Sequence, residues 1–124
     1  MKELNKSSME WMIKKRFEVS ASHQLNLPYD SKCNGLHGHN WLIDIFVNCN
    51  ELENSMVIDF NELKEKVFLR LDHKHLNDII PNPTVENIAY WVAEQIGFRQ
   101  EGKRYWCSKV VIQESEGNVC EFTC

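Results

Sequence analysis

The chain is predicted to fold as an α+β domain: an antiparallel four-stranded sheet carrying two helices on one face. Three observations lead there. Apolar residues alternate with polar ones through much of the first 48 residues. They then recur at helical spacing in two segments, and alternation returns after Trp106. The resulting order, β-β-α-α-β-β, segregates the helices in the middle and lacks the βαβ repeat of a parallel sheet. At 124 residues, 43% hydrophobic and 26% charged, the sequence suits a single soluble domain spanning 1–124.

Residues 1–10 are polar and read as a loosely held leader. The first strand is expected over 11–22, where Phe17, Val19 and Ala21 share a face and His23 has the same parity. Pro28, Tyr29, Asp30 and Ser31 mark a loop. A second strand over 41–48 puts Ile43, Ile45 and Val47 on one face. After a polar turn at 50–55, Met56-Val57-Ile58 is a short run expected to be buried. Asp59 is placed to cap a helix whose stripe is Phe60, Leu63, Val67 and Leu71, with Glu62 in capping-box position. Thr84 is placed to cap a second helix with stripe Val85, Ile88, Ala89, Val92 and Ile96, stopped by Gly97. A strand over 106–114 aligns Val110, Ile112 and Glu114, and Glu116-Gly117-Asn118 turns the chain into a last strand over 119–123.

Composition excludes several function classes. The formal net charge of −4 argues against nucleic acid as the main partner. No apolar run approaches the ~20 residues of a membrane span. The first residues lack a signal-peptide pattern, and the five cysteines include no CxxC pair. An odd count without an export signal points to a reducing, cytoplasmic compartment.

The most informative stretch is Cys33-Asn-Gly-Leu-His37-Gly38-His39-Asn-Trp41. In extended backbone, His37 and His39 leave the same face and continue the apolar row of the second strand. Two imidazoles so placed make half of a metal site, most commonly for zinc. On these residues alone, solvated histidines in a glycine-containing loop are an equal reading. A second polar cluster, Leu71-Asp72-His73-Lys74-His75-Leu76-Asn77, reads either as a helix end with a favourable histidine or as part of a site.

Taken together, the motifs resemble the 6-pyruvoyl-tetrahydropterin synthase superfamily, and within it the bacterial 6-carboxy-tetrahydropterin synthases of queuosine biosynthesis. The matching pieces are Phe17-x-x-x-Ala21-x-His23, Cys33-x-x-x-His37-Gly38-His39, Met56-Val57-Ile58-Asp59-Phe60, Leu71-Asp72-His73-x-x-Leu76-Asn77, Pro83-Thr84-x-Glu86-Asn87 and Glu114. They occur in family order across most of the chain. The resemblance implies the tunnelling fold and a homohexamer of two stacked trimers with active sites between subunits.

It also implies residue roles. His23, His37 and His39 would hold Zn2+, leaving a fourth position open as catalytic sites do. Cys33 would be the general base, which needs nearby positive charge to favour its thiolate at neutral pH. Asp72 would orient His73, which relays the proton. Glu114 would accept hydrogen bonds from the pterin ring. Thr84 and Glu86 are further substrate-binding candidates, but equally plausible helix-start residues. Two positions depart from the family pattern. Ser115 stands where threonine is usual, keeping the substrate-anchoring hydroxyl without its methyl, and Ser55 replaces a usual glycine in a turn.

The activity implied is zinc-dependent conversion of 7,8-dihydroneopterin triphosphate to 6-carboxytetrahydropterin, acetaldehyde and triphosphate. The alternatives are 6-pyruvoyl-tetrahydropterin synthesis and a non-catalytic zinc- or pterin-binding module. Cys33, Asp72 and His73 speak against the last, because binding alone needs neither a base nor a relay. A metal-dependent hydrolase would call for a carboxylate within the metal motif, and none lies there. Lys14, Lys15, Arg16, Lys32 and Lys74 are candidates to face the triphosphate.

Overall fold

A computed structural model describes residues 9–124. Residues 1–8 of the predicted leader lie outside the described residues, and Met9 and Glu10 lead directly into the first strand. The sheet comprises β1 (Trp11–His23), β2 (His37–Cys49), β3 (Lys74–His75), β4 (Tyr105–Ser115) and β5 (Asn118–Thr123). Its order is β3-β1-β2-β4-β5, antiparallel except where β3 runs beside β1. Helix α1 spans 60–71, with a π-helical stretch at Lys64–Phe68 between α-helical turns Phe60–Leu63 and Leu69–Leu71. Helix α2 is Val85–Ile96.

One face of the sheet is buried. Phe17, Val19, Ala21, Ile43, Ile45, Val47, Val110 and Ile112 pack with Leu63, Val67 and Leu71 of α1 and Ile88, Val92 and Ile96 of α2. Each of these larger side chains contributes roughly 1.5–3 kcal/mol of burial, set against the entropy of ordering the chain. Both helices start at the predicted caps. Asp59 accepts from the Asn61 N–H and Thr84 from the Asn87 N–H, satisfying donors that the first helical turn leaves free. Gly97 ends α2 at φ 108°, a region that side chains avoid.

The structure corrects the sequence reading in two places. The sheet has five strands, because Lys74–His75 adds a short parallel edge beside Ala21 and Ser22. Two residues carry too little periodicity to reveal a strand. Met56 and Phe60 are exposed, at 40% and 48%, while Val57, Ile58 and Leu63 fill the core. The polar turn read over 50–55 is present: Asn54 and Ser55 both adopt positive φ in a tight turn closed by paired Glu53 and Met56. Ser55 therefore takes the left-handed conformation that a glycine accepts at lower cost.

Two bulges reshape β4. Opposite β2, the register shifts between Phe46 and Val47, so Cys107 and Val110 are both buried despite opposite parity. Opposite β5, Gln113 pairs with Val119 and Ser115 with Asn118, leaving Glu114 as the extra residue. Bulges of this kind re-aim a side chain, and here the residue concerned belongs to the site.

Candidate active site

β2 begins at His37, earlier than its apolar run suggests, so His37 and His39 extend the buried face. The β1–β2 register sets His23 opposite His37 and Ala21 opposite His39. Three rings from two strands thereby converge, with centroids 4.4, 5.0 and 5.3 Å apart. Trp41 forms their floor, its ring 4.8 Å from His23 and 5.0 Å from His39. Its indole N–H donates to the Ala21 carbonyl at 3.2 Å.

Backbone carbonyls orient two of the histidines. His23 Nδ1 lies 2.8 Å from the Pro83 carbonyl and His37 Nδ1 lies 2.8 Å from that of Gly35. A carbonyl only accepts, so in the neutral rings the proton sits on Nδ1 and the Nε2 lone pair is free. Burial, the largest influence, lowers the pKa of His23 and favours the neutral form that a metal ligand needs. Glu114 Oε1 approaches His39 Nε2 to 2.7 Å and His23 Nε2 to 3.9 Å. The shorter contact lies off a hydrogen-bonding line. The Nε2 atoms of His23 and His39 are accordingly buried without a hydrogen-bond partner. Ligand atoms of His23, His37, His39 and Glu114 all lie within 4.8 Å of one another. Buried nitrogens aimed at a common point without partners are costly unless something binds there, and the donor set suits zinc.

Cys33 sits in a 3-10 turn, Lys32–Asn34, capped by Ser31. The turn is tied down by the Leu25 N–H to the Cys33 carbonyl and by the Asn34 side chain, which bonds Leu27 and Tyr29. A cavity of about 550 Å3 is lined by Lys32, Cys33, His37, His39, Glu114, Ser115 and Asn118. The thiol, two imidazoles, the bulged carboxylate and the hydroxyl thus face one space. Lys32 is the only one of the five candidate cations lining it.

Asp72 and His73 are brought together, but elsewhere. Asp72 accepts from the Ser20 N–H at 2.9 Å and lies 2.8 Å from His73 Nδ1. The Ser20 N–H, with a smaller effect from His73, holds Asp72 below the usual carboxylate pKa. His73 takes φ 58° and its N–H donates to the Ser20 carbonyl at 2.7 Å, presenting an imidazole that is 80% exposed. It lines a second cavity, of about 610 Å3, with Ser20, Ser22, Gly38, Asn40, Lys74 and His75. Among the described residues of one chain, only His39 lines both cavities.

Thr84 serves as the cap of α2, and Glu86 lies exposed on that helix near Cys120; neither lines either cavity. Motif residues Asn77 and Asn87, together with Asn82, brace the loop after His23. Asn77 exchanges two hydrogen bonds with the Gln24 backbone, Asn82 accepts from the Asn26 N–H, and Asn87 donates to the Asn82 carbonyl. Pro83 and Gly35, whose carbonyls orient the histidines, carry no side-chain chemistry to announce the role. Trp41 could be read as a buried aromatic, but its place under the rings depends on strand register.

A family model described as 6-pyruvoyl tetrahydropterin synthase matches residues 12–124. The 6-carboxy-5,6,7,8-tetrahydropterin synthase of Synechocystis sp. is 39% identical over 93 residues, covering 66% of this chain and 71% of that protein. The dihydroneopterin monophosphate aldolase of Pyrococcus furiosus is 44% identical over 64 residues, covering 49% of this chain and 55% of that protein. Among solved structures, 6-pyruvoyl tetrahydropterin synthase of Caenorhabditis elegans superposes with a TM-score of 0.69 at 23% identity, covering 94% of this chain and 96% of that one. The architecture is therefore the tunnelling fold.

Proposed function

The chain belongs to the 6-pyruvoyl tetrahydropterin synthase family, and from that premise we propose that it is a zinc-dependent 6-carboxy-5,6,7,8-tetrahydropterin synthase. Its substrates are 7,8-dihydroneopterin triphosphate and water, and its products are 6-carboxytetrahydropterin, acetaldehyde and triphosphate. The supporting observation is the single cavity where Cys33, Glu114 and Ser115 meet His37 and His39.

His23, His37 and His39 would hold the zinc through their Nε2 atoms. When bound, zinc supplies positive charge that engages the side-chain oxygens of the substrate and acidifies the neighbouring C–H. Cys33, beside that charge, removes the proton as a thiolate. The Glu114 carboxylate accepts the N–H groups of the pterin edge, and the Ser115 hydroxyl donates beside it. Asp72 holds His73 through Nδ1, leaving Nε2 to exchange a proton with the reacting side chain.

Cys33 and His73 line different cavities of one chain. We therefore assign the relay to a neighbouring copy in a homohexamer of stacked trimers, with β3 and β5 as the sheet edges available for pairing. Glu114 has an alternative role, because its carboxylate lies within reach of the metal position. A fourth protein ligand would close the site, so retention of zinc by Glu114→Gln is expected if the carboxylate serves the pterin.

The test is incubation with 7,8-dihydroneopterin triphosphate followed by identification of the pterin and the released aldehyde. Acetaldehyde with inorganic triphosphate supports the proposal. 6-Pyruvoyltetrahydropterin without aldehyde would replace it with the sister reaction. The Pyrococcus furiosus relative favours a further reading, aldol cleavage of dihydroneopterin monophosphate, in which the phosphate would leave on the aldehyde.

A further inference from the structure

We propose that Asn118 is a positioning residue that aims the Ser115 hydroxyl at the ring of the bound substrate; this rests on the pterin-binding role given to Glu114 above. Ser115 ends β4 and Asn118 opens β5, and the two pair across the Glu116-Gly117 turn. Both line the cavity that holds Cys33, His37, His39 and Glu114. Asn118 Nδ2 donates to Ser115 Oγ at 2.8 Å.

A serine side chain has three staggered positions and lacks the branching that stiffens χ1 in threonine. The Asn118 amide selects one of them. It also consumes an acceptor site on Oγ, leaving the hydroxyl hydrogen to donate elsewhere. Beside it, the Glu114 carboxylate offers acceptors only. An acceptor and a fixed donor on consecutive residues match the lactam edge of a pterin, where a ring N–H adjoins a carbonyl. The bulge at Glu114 is what allows consecutive residues of one strand to serve the same cavity. Asn118 is exposed, so its hydrogen bond adds little to fold stability and its effect belongs on ligand binding.

Fluorescence titration of the zinc-loaded protein with neopterin tests this, alongside the kcat and KM for 7,8-dihydroneopterin triphosphate. Asn118→Ala is expected to weaken neopterin binding and raise KM by about 3- to 10-fold, the effect of one hydrogen bond. The kcat and the melting temperature should change little. Asn118→Asp should weaken binding at least as much, since a carboxylate would accept the Ser115 proton and turn it from the ligand. In the Asn118→Ala background, Ser115→Thr should return affinity to within about twofold of wild type, because branching restores χ1 stiffness. Wild-type affinity in either Asn118 variant, or failure of threonine to rescue, overturns the inference while the pterin site stands. Failure of wild-type protein to bind neopterin overturns the pterin site itself, and this inference with it.

Discussion

Strands β1 and β2 carry two cross-strand pairs in which both side chains are titratable, Arg16 with Asp44 and His23 with His37. Asp44 is 8% exposed and His23 is 1% exposed, so both pairs bury a titratable group. Their bonding differs. Arg16 grips Asp44 through two hydrogen bonds, at 2.7 and 3.0 Å, and Lys14 lies 3.9 Å away. That pair meets its own needs. At the other end, carbonyls satisfy Nδ1 of His23 and His37, while the buried Nε2 of His23 and His39 face Glu114 and one another without hydrogen bonds. A satisfied buried pair points to structure; convergent unsatisfied nitrogens point to a ligand.

The sharpest way to break this contrast is to remove the converging imidazoles. A His37→Ala, His39→Ala double variant should fall from about one zinc per chain to none and lose turnover, by the three-ligand logic of an open site. Asp44→Asn should keep its zinc. Elemental analysis of both proteins decides, and stoichiometric zinc in the histidine double variant would sink the ligand assignment.

Next in size is Cys33→Ala, which separates an enzyme from a binding module. Turnover should drop by ~10²–10⁴-fold, the usual contribution of a general base. Zinc content and pterin affinity should persist because His23, His37, His39 and Glu114 are untouched. Loss of zinc together with activity would instead make Cys33 a ligand.

The separation of Cys33 from His73 leads to a smaller but more specific effect. Sedimentation should show an assembly larger than a dimer at micromolar concentration. Refolding Cys33→Ala and His73→Ala chains together should recover part of the activity that neither has alone, because mixed assemblies contain some intact sites. A monodisperse monomer, or no recovery despite mixed assembly, counts against sites shared between copies.

The smallest effect belongs to the satisfied pair. Arg16 holds the Asp44 carboxyl below its ordinary pKa, chiefly through their hydrogen bond. The folded protein therefore binds that proton less readily than the unfolded chain. The stability this supplies is fully present above the unfolded value, ~4, and is lost as pH falls through the folded one. The gap in Tm between wild type and Asp44→Asn should be constant from pH 5 to 7 and close on acidification. A gap that is unchanged at pH 2 would show that the pair acts through packing alone.

Local chemistry in the sequence determined a good deal. Asp59, Thr84 and Gly97 mark helix ends because caps and stops act within a few residues. The parity of His23, His37 and His39 placed them on the core face because strand side chains alternate with a period of two. The motif resemblance also named the family later matched over residues 12–124. Tertiary structure alone decided the rest. Setting His23 against His37 depends on register between distant strands, and seating Glu114 beside His39 depends on a bulge. Orienting His23 requires a carbonyl 60 residues away. The short β3 exists only because β1 offers it an edge, and the same arrangement carries His73 away from Cys33. These relations are long-range hydrogen bonds and close approaches, and no local pattern of side chains encodes a distance between strands.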